Sequence, residues 1–454
     1  MQEPAPTRRA AGARRRVTAC AVALLSVAAL ACGCTGTRPA PADAAYGVPI
    51  QINTPQGLRA KQTMDMLNSD WPIGENGVRT LAAPQVLEAV GVTMDRMWWD
   101  RPFTVTKVDV GAGSATLHVL TSYGVAQTIE LRTDDAGMVD RFSAELVPPR
   151  ITSWPDVDRE LTKSGAKYSY QVAKVTDGRC TKVAGTNTEM SLPLASIFKL
   201  YVLYALSDAV KAHTVAWTDP LTITTEAKAV GSSGFDKLPP GATVTVRDAA
   251  QQMISASDNM ATDLLIERMG PRAIERALVA AGHHDPASMT PFPTMHELFS
   301  VGWGEPNLRE QWKQATPAGR AQLLQQTNAR PYEPDPQRTH MPASDIGAEW
   351  YASAADICRL HAALQRNATG EAAPVHDILS VVPGIDLDRT LWPYIGAKAG
   401  NLPGDLTFSW YAEDRTGQGW VVSMQTNWSQ YRSPTAASWL LSIARQMFGM
   451  VAPR

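Results

Sequence analysis

Two groups of strands stand at either end of a long helical stretch, and that order limits the folds open to this chain. Lys167 to Val175 and Cys180 to Gly185 read as strands joined by a turn at Asp177-Gly178. From residue 190 to about 380 the pattern is mostly helical. Strands return at Gly396–Gly400, Leu406–Glu413 and Trp420–Thr426. A last helix covers Ser433 to Phe448, with Ser433 as cap and Pro434 at its first position. Sheet, helices, sheet, helix is an α+β order. A smaller α+β segment precedes it, over residues 53–148. Gln56–Asn68 and Pro84–Val92 read as helices, and Phe103–Val110, Ala115–Ser122, Ala126–Arg132 and Met138–Val147 as strands. Pro148-Pro149 marks the boundary, and the second domain runs over 149–454.

The first residues are an export signal and take no part in the fold. Arg8, Arg9, Arg14, Arg15 and Arg16 are followed by an apolar run from Val17 to Ala31, shorter than the ~20 residues of a spanning helix. Ala29-Leu30-Ala31-Cys32 resembles a bacterial lipobox. That resemblance implies cleavage after residue 31, lipid on Cys32 and anchoring on the outer face of a bacterial, actinobacterial-type cell membrane. Residues 32–52, rich in Pro, Ala and Thr, then read as a tether. The full chain carries 42 Lys+Arg and 44 Asp+Glu; residues 1–31 hold five Arg and one Glu, so the remainder has 37 against 43, a net charge of -6. Nothing in that balance points to nucleic acid. Beyond the signal, Cys180 and Cys358 are expected to stay buried free thiols; a bond needs Cα atoms within ~7 Å.

Three short motifs carry the chemistry: Ser196-Ile197-Phe198-Lys199, Ser257-Asp258-Asn259 and Lys398-Ala399-Gly400. Each is weak alone. Ser164-Gly165-Ala166-Lys167 has the first spacing and Lys163-Ser164-Gly165 mimics the third, but both sit at a helix-to-strand turn. Context selects the other set. Ser196 is expected to open an apolar helix, whose free N–H groups stabilise developing negative charge. Lys199 lies one turn along on the same face, where a desolvated amine can serve as base. Ser257-Asp258-Asn259 fills a break between two helices. Asp258 is expected to point inward and hold the turn. Gly400 lets a ligand approach the backbone of its strand closely.

In order and spacing, with 61 residues from Ser196 to Ser257 and 141 more to Lys398, these motifs resemble the penicillin-recognising serine enzymes, most of all class A β-lactamases. The long second gap suggests an insertion around 310–345. The two-domain layout resembles actinobacterial LpqF-type lipoproteins. It is also similar to a serine-hydrolase-like protein of the clavulanic acid pathway. In those the small domain is cone-like, similar to nuclear transport factor or ketosteroid isomerase. The resemblance implies that Ser196 is the acylated nucleophile, Lys199 its base and Ser257 a proton relay. Asn259 would position substrate, and Lys398 would steer a carboxylate and tune Ser257. The N–H groups of Ser196 and Asn401 would form the oxyanion hole.

Two departures bear on the reaction. The family's deacylating Glu falls nearest to Glu305-Pro306-Asn307-Leu308-Arg309, which has Arg309 where Asn is expected; Glu297 is a weaker candidate. Ala399 replaces a hydroxyl residue that would bind a β-lactam carboxylate. Hydrolysis of a β-lactam and of an ester or amide through an acyl-enzyme both remain open. So does a catalytically weak or inactive envelope protein that binds a ligand on the same fold. The substrate is expected to be a small or cell-wall-derived molecule, with no cofactor. His283, His284 and His296 lack metal-motif spacing, and no metal is expected. His118, in an alternating strand, reads as structural, and Trp98-Trp99 as core or domain interface.

Overall fold

The computed structural model describes residues 45–453; the signal, Cys32 and most of the tether lie outside the described residues. The first domain has helices α1 (Pro55–Leu67), α2 (Glu75–Leu81) and α3 (Leu87–Trp98), then strands β1 (Thr104–Val110), β2 (Ser114–Leu120), β3 (Ala126–Thr133) and β4 (Val139–Leu146). The strands form an antiparallel meander in chain order. α1 starts at Thr54, whose Oγ1 accepts the N–H of Gly57 at 3.1 Å, with Pro55 at its first position. The sequence reading missed α2. Seven residues hold two turns, too few for a 3.6-residue period to show, and Gly74 and Gly77 mask what is there. The helix read over Pro84–Val92 runs on to Trp98 after one 3₁₀ turn. Alternate residues of β2 and β3, Leu117, Val119, Ile129 and Leu131, face the helices and are buried. His118, on the outer face, meets Asp109 at 3.2 Å.

The remainder runs in chain order through α4 (Trp154–Lys163), β5 (Lys167–Thr176), β6 (Arg179–Thr186), β7 (Leu192–Pro193) and α5 (Lys199–Lys211). Next come β8 (Pro220–Thr222), α6 (Thr225–Ala229), β9 (Thr243–Thr245), α7 (Val246–Ser255), α8 (Asn259–Met269), α9 (Pro271–Ala280) and α10 (Met295–Trp303). α11 (Arg309–Gln314), α12 (Pro317–Thr327), β10 (Tyr351–Ala352), α13 (Ala354–Asn367) and α14 (Pro374–Ser380) follow. The chain closes with β11 (Tyr394–Leu402), β12 (Asp405–Glu413), β13 (Gly419–Asn427) and α15 (Pro434–Val451). The two strand groups of the sequence join in one antiparallel sheet, ordered β11-β12-β13-β5-β6. Its central strands β12 and β13 are buried along almost their whole length, because both faces are covered. On one side Trp410, Trp428, Trp439, Ile443 and Phe448 build a core with α15 and α4. On the other lies the helical layer, whose core gathers around α5 and includes Phe198, Tyr201, Leu203 and Trp350. The stretch 310–345, expected as an insertion, carries α12 and then an irregular segment.

The two domains meet through particular side chains. Trp99 stacks on His340 with ring centroids 4.2 Å apart and meets Tyr431 edge-on, while Trp98 is buried. The buried carboxyl of Asp100 accepts the N–H of Ser433 at 2.9 Å and also its hydroxyl, capping the start of α15 from the other domain.

The thiol expectation is corrected. Cys180 on β6 and Cys358 on α13 form a disulfide, with Cα atoms 6.3 Å apart. α13 packs beneath β5, β6 and β13, which brings together residues 178 apart in sequence. A loop that long constrains the unfolded chain strongly. Cys180→Ser is therefore expected to lower unfolding free energy by about 2–4 kcal/mol, read as a lower urea midpoint, with reductant lowering the wild type alike. An unchanged midpoint would contradict the pairing.

Candidate active site

Ser196 does not open an α-helix directly. Ala195–Phe198 is a 3₁₀ turn, and α5 begins at Lys199. Ala195 has φ +43°, a left-handed backbone that a residue with Cβ adopts only under constraint. The constraint is visible. The carbonyl of Leu194 accepts Thr407 Oγ1 at 2.7 Å from β12, and β11 runs so close that a Cβ on Gly400 would stand 2.7 Å from Ser196 N and 2.6 Å from Leu194 O. Only glycine permits that approach. Ser257, in the break between α7 and α8, also has a positive φ, +57°. Asp258 points inward as expected. Its Oδ1 caps α8 at Ala261 N (2.8 Å), and its Oδ2 accepts Ser232 Oγ (2.5 Å), Ser233 N and Gly234 N. It thereby fixes both the turn and the loop that brings Ser233 to the cleft rim.

The two lysines converge on one hydroxyl. Lys199 Nζ donates to Ser257 O at 2.6 Å, to Asn259 Oδ1 at 2.8 Å and to Ser257 Oγ at 3.2 Å. Lys398 Nζ donates to the same Ser257 Oγ at 3.0 Å and to Ala399 O at 2.7 Å. Lys199 has no exposed surface. Burial, and then the charge of Lys398, hold its amine well below the ordinary lysine range. Burial brings the Lys398 amine down to about 7. The carboxylates of Asp258 and Asp263 oppose the shift at Lys199 from a distance. A hydroxyl between two desolvated amines can accept from one and donate to the other, so Ser257 can carry a proton between them.

The edge strand supplies a further group. Pro403-Gly404 is a two-residue turn closed by the pair Leu402 and Asp405, and an antiparallel ladder alternates from its closing pair. Gly400 and Lys398 therefore bond to β12, whereas Ala399 and Asn401 turn their N–H and C=O off the open edge. The bond from Lys398 Nζ to Ala399 O fits that direction. Ser196, Ser257, Asn259, Lys398, Ala399, Gly400 and Asn401 all line one cleft of about 420 Å³, with Lys199 behind it. Ala399 presents only a methyl group there.

Two of the carboxylates weighed from sequence do not join this group. Glu305 is half exposed and pairs with Arg338 at 2.8 Å; it is not among the residues lining the cleft. Glu297 closes the capping box of α10 with Thr294 and accepts Asn328 Nδ2 at 2.7 Å. Among the described residues lining the cleft none carries a carboxylate. Of the histidines weighed for metal, His283 Nε2 meets Tyr351 O at 2.9 Å, and His284 contacts Asp356 at 2.5 Å. That Asp356 also caps α13 and pairs with Arg359.

Residues 154–372 match the β-lactamase enzyme family. The match ends before β11, so Lys398 enters the site through the sheet geometry. Residues 51–139 match a second family, described as the N-terminal part of the ORF 12 gene product. Solved structures that are similar include a β-lactamase from Sphaerobacter thermophilus DSM 20745, at 19% identity over 66% of this chain and 100% of that one, TM-score 0.46. PBP-A is similar at 15% identity over 67% and 97%, TM-score 0.45, and an ancestral class A β-lactamase at 18% over 65% and 99%, TM-score 0.46. No curated protein matches the chain. The sequence reading missed the walls of the cleft. Phe299, Phe408, Trp410 and Pro383 give it an apolar side, and Ser233 adds a hydroxyl. A single aromatic residue in a strand carries no signal of which cavity it lines. Thr407 buttresses the turn before Ser196 and was legible only as the residue facing Gly400 in a hairpin.

Proposed function

We propose that this protein is an exported serine hydrolase that forms an acyl-enzyme at Ser196 with ester or amide substrates bearing a carboxylate. One observation carries the reading: a fully buried lysine amine, one turn from Ser196, shares the Ser257 hydroxyl with a second desolvated lysine. In acylation the neutral Lys199 amine takes the Ser196 proton. Oγ attacks the carbonyl carbon, and charge gathers on the carbonyl oxygen between the N–H groups of Ser196 and Asn401. When the carbonyl-to-leaving-group bond breaks, the departing oxygen or nitrogen takes a proton through Ser257. Lys398 draws the substrate carboxylate, and Asn259 orients the acyl amide. The apolar wall at Phe408 and Trp410 suits a hydrophobic acyl or leaving group. Small or cell-wall-derived molecules are the substrate class we propose, with the enzyme held at the cell membrane through Cys32.

The cleft's lack of a carboxylate sets the second half of the cycle. Water must be activated by Lys199 again, once its proton has passed on, so deacylation is slower than acylation. With Ala399 offering no hydroxyl to a β-lactam carboxylate, esters are better substrates than β-lactams. A chromogenic ester is expected to give a burst of about one equivalent of product per enzyme, then a slow steady state. Glu305→Gln should leave both phases within about twofold of wild type. A deacylation rate about 100-fold lower in that variant would place Glu305 in the mechanism.

A further inference from the structure

Helix α13 packs on β5, β6, β12 and β13, and none of its residues lines the cleft. It is nonetheless bonded to the strand pair that carries Lys398. His361 on α13 and Ser409 on β12 have no exposed surface. His361 Nε2 lies 3.0 Å from Ser409 Oγ, and Ser409 Oγ donates to Lys398 O at 3.1 Å. Lys398 faces Ser409 across the hairpin, and its Nζ reaches Ser257 in the cleft. Two hydrogen bonds in series thus run from a helix behind the sheet to the backbone of Lys398. The mechanism above gives His361 and Ser409 no part.

The bonds fix the state of the ring. A carbonyl only accepts, so the single Ser409 proton is committed to Lys398 O. Ser409 Oγ then accepts from the ring, and the proton it accepts is on His361 Nε2. His361 Nδ1 has no partner. A neutral ring protonated on Nε2 leaves only a bare acceptor there. The other tautomer, or the cation, would leave a buried N–H orphaned, which folded proteins rarely tolerate. Burial, which brings the His361 imidazole down to about 3, also keeps the ring neutral. The ring is itself held. Cys358, one turn earlier on the same helix, is bonded to β6, and Ser353 and Asp356 cap the start of α13. β11, by contrast, is an edge strand with β12 as its one strand neighbour, so it has half the ladder bonds of an inner strand.

We propose that His361 is a positioning residue: through Ser409 it holds the Lys398 backbone on the edge strand, and so sets where the Lys398 amine meets a substrate carboxylate. With the imidazole gone, Ser409 Oγ loses the partner that fixes its rotamer, and nothing then holds its bond to Lys398 O. The proposal deepens the acyl-enzyme reading and rests on it for the carboxylate, not for the acyl group.

Nitrogen NMR of the full chain labelled in histidine tests the ring. One imidazole, identified by its absence in His361→Gln, is expected to show the neutral Nε2–H pattern, unchanged through the neutral pH range. An Nδ1–H pattern or a cationic one overturns the proposal. Calorimetry tests the positioning. Two esters alike except for a carboxylate are titrated into Ser196→Ala protein, which binds without reacting. Adding His361→Leu should weaken the carboxylate ester about tenfold and the neutral ester less than about twofold, because a small misplacement of a positioned group is costly. His361→Gln, which keeps an N–H donor, should stay within about threefold of the Ser196→Ala protein for both esters. Equal weakening of the two esters, a Gln variant as weak as the Leu variant, or no carboxylate preference in the Ser196→Ala protein overturns the proposal. Ser409→Ala, one oxygen smaller, should repeat the Leu pattern, and it decides the matter where urea unfolding finds His361→Leu unfolded. A protein that shows the preference but takes no acyl group at Ser196 refutes the acyl-enzyme reading alone. One that acylates and keeps its full preference in His361→Leu or Ser409→Ala refutes the positioning alone.

Discussion

Lys199→Met is expected to slow acylation of Ser196 by about 10²–10⁴-fold, the usual contribution of a positioned base. Methionine fills nearly the same buried volume, so the change removes the amine and little else of the packing. Two consequences separate this from a folding defect. Wild type should gain rate as pH rises through the titration of Lys199, because only the neutral amine accepts the Ser196 proton. The sign follows from burial and the Lys398 charge, which both favour the neutral form. The variant should lose that limb and run flat in pH. Stability should move little or in either direction. The bonds to Ser257 O and Asn259 Oδ1 are lost, while the desolvation of a buried amine is relieved. Stopped-flow release of a chromogenic leaving group, with urea unfolding alongside, reads both. A residual rate within tenfold of wild type would assign the base elsewhere.

Gly400→Ala should be nearly as damaging, although it adds one methyl group. The new Cβ would lie 2.5 Å from Thr407 Oγ1, 2.6 Å from Leu194 O and 2.7 Å from Ser196 N. Two of these atoms are backbone, so no rotamer change clears the contact, and β11 or the Ser196 turn must move. Either shift separates the Ser196 and Asn401 N–H groups. Misplacing one oxyanion donor costs ~3 kcal/mol, a loss of about 10²–10³ in the acylation rate. The loss should fall on kcat with KM nearly unchanged, because the donors act on charge that appears only in the transition state. An alanine variant with wild-type kcat would show that the approach of β11 to Ser196 is not needed.

The motifs were legible because each ties a reactive residue to a local backbone form: a turn before a helix, a break between helices, a strand with glycine. Ser196, Lys199, Ser257, Asn259, Lys398 and Gly400 needed only order and context to be read as one site. Asp258 was legible as an inward anchor for the same reason. What failed needed three-dimensional placement. Glu305 stands in a five-residue string that resembles a deacylating loop, but nothing in the string fixes which way the loop turns, and Arg338 holds the carboxylate away. Cys180 and Cys358 meet only because α13 crosses under the sheet, a packing fact with no sequence period. Glu349 reads as an ordinary acid in Gly347-Ala348-Glu349-Trp350; its burial appears only when β10 is assembled.

Intact-mass spectrometry after exposure to a chromogenic ester, a cephalosporin and a fluorescent penicillin bears on the whole account most directly. The wild-type protein should gain the mass of one acyl group from the ester at least, mapped to Ser196, and folded Ser196→Ala should gain none. An adduct on another residue, an adduct that persists in Ser196→Ala, or an unmodified folded protein with every probe would contradict it.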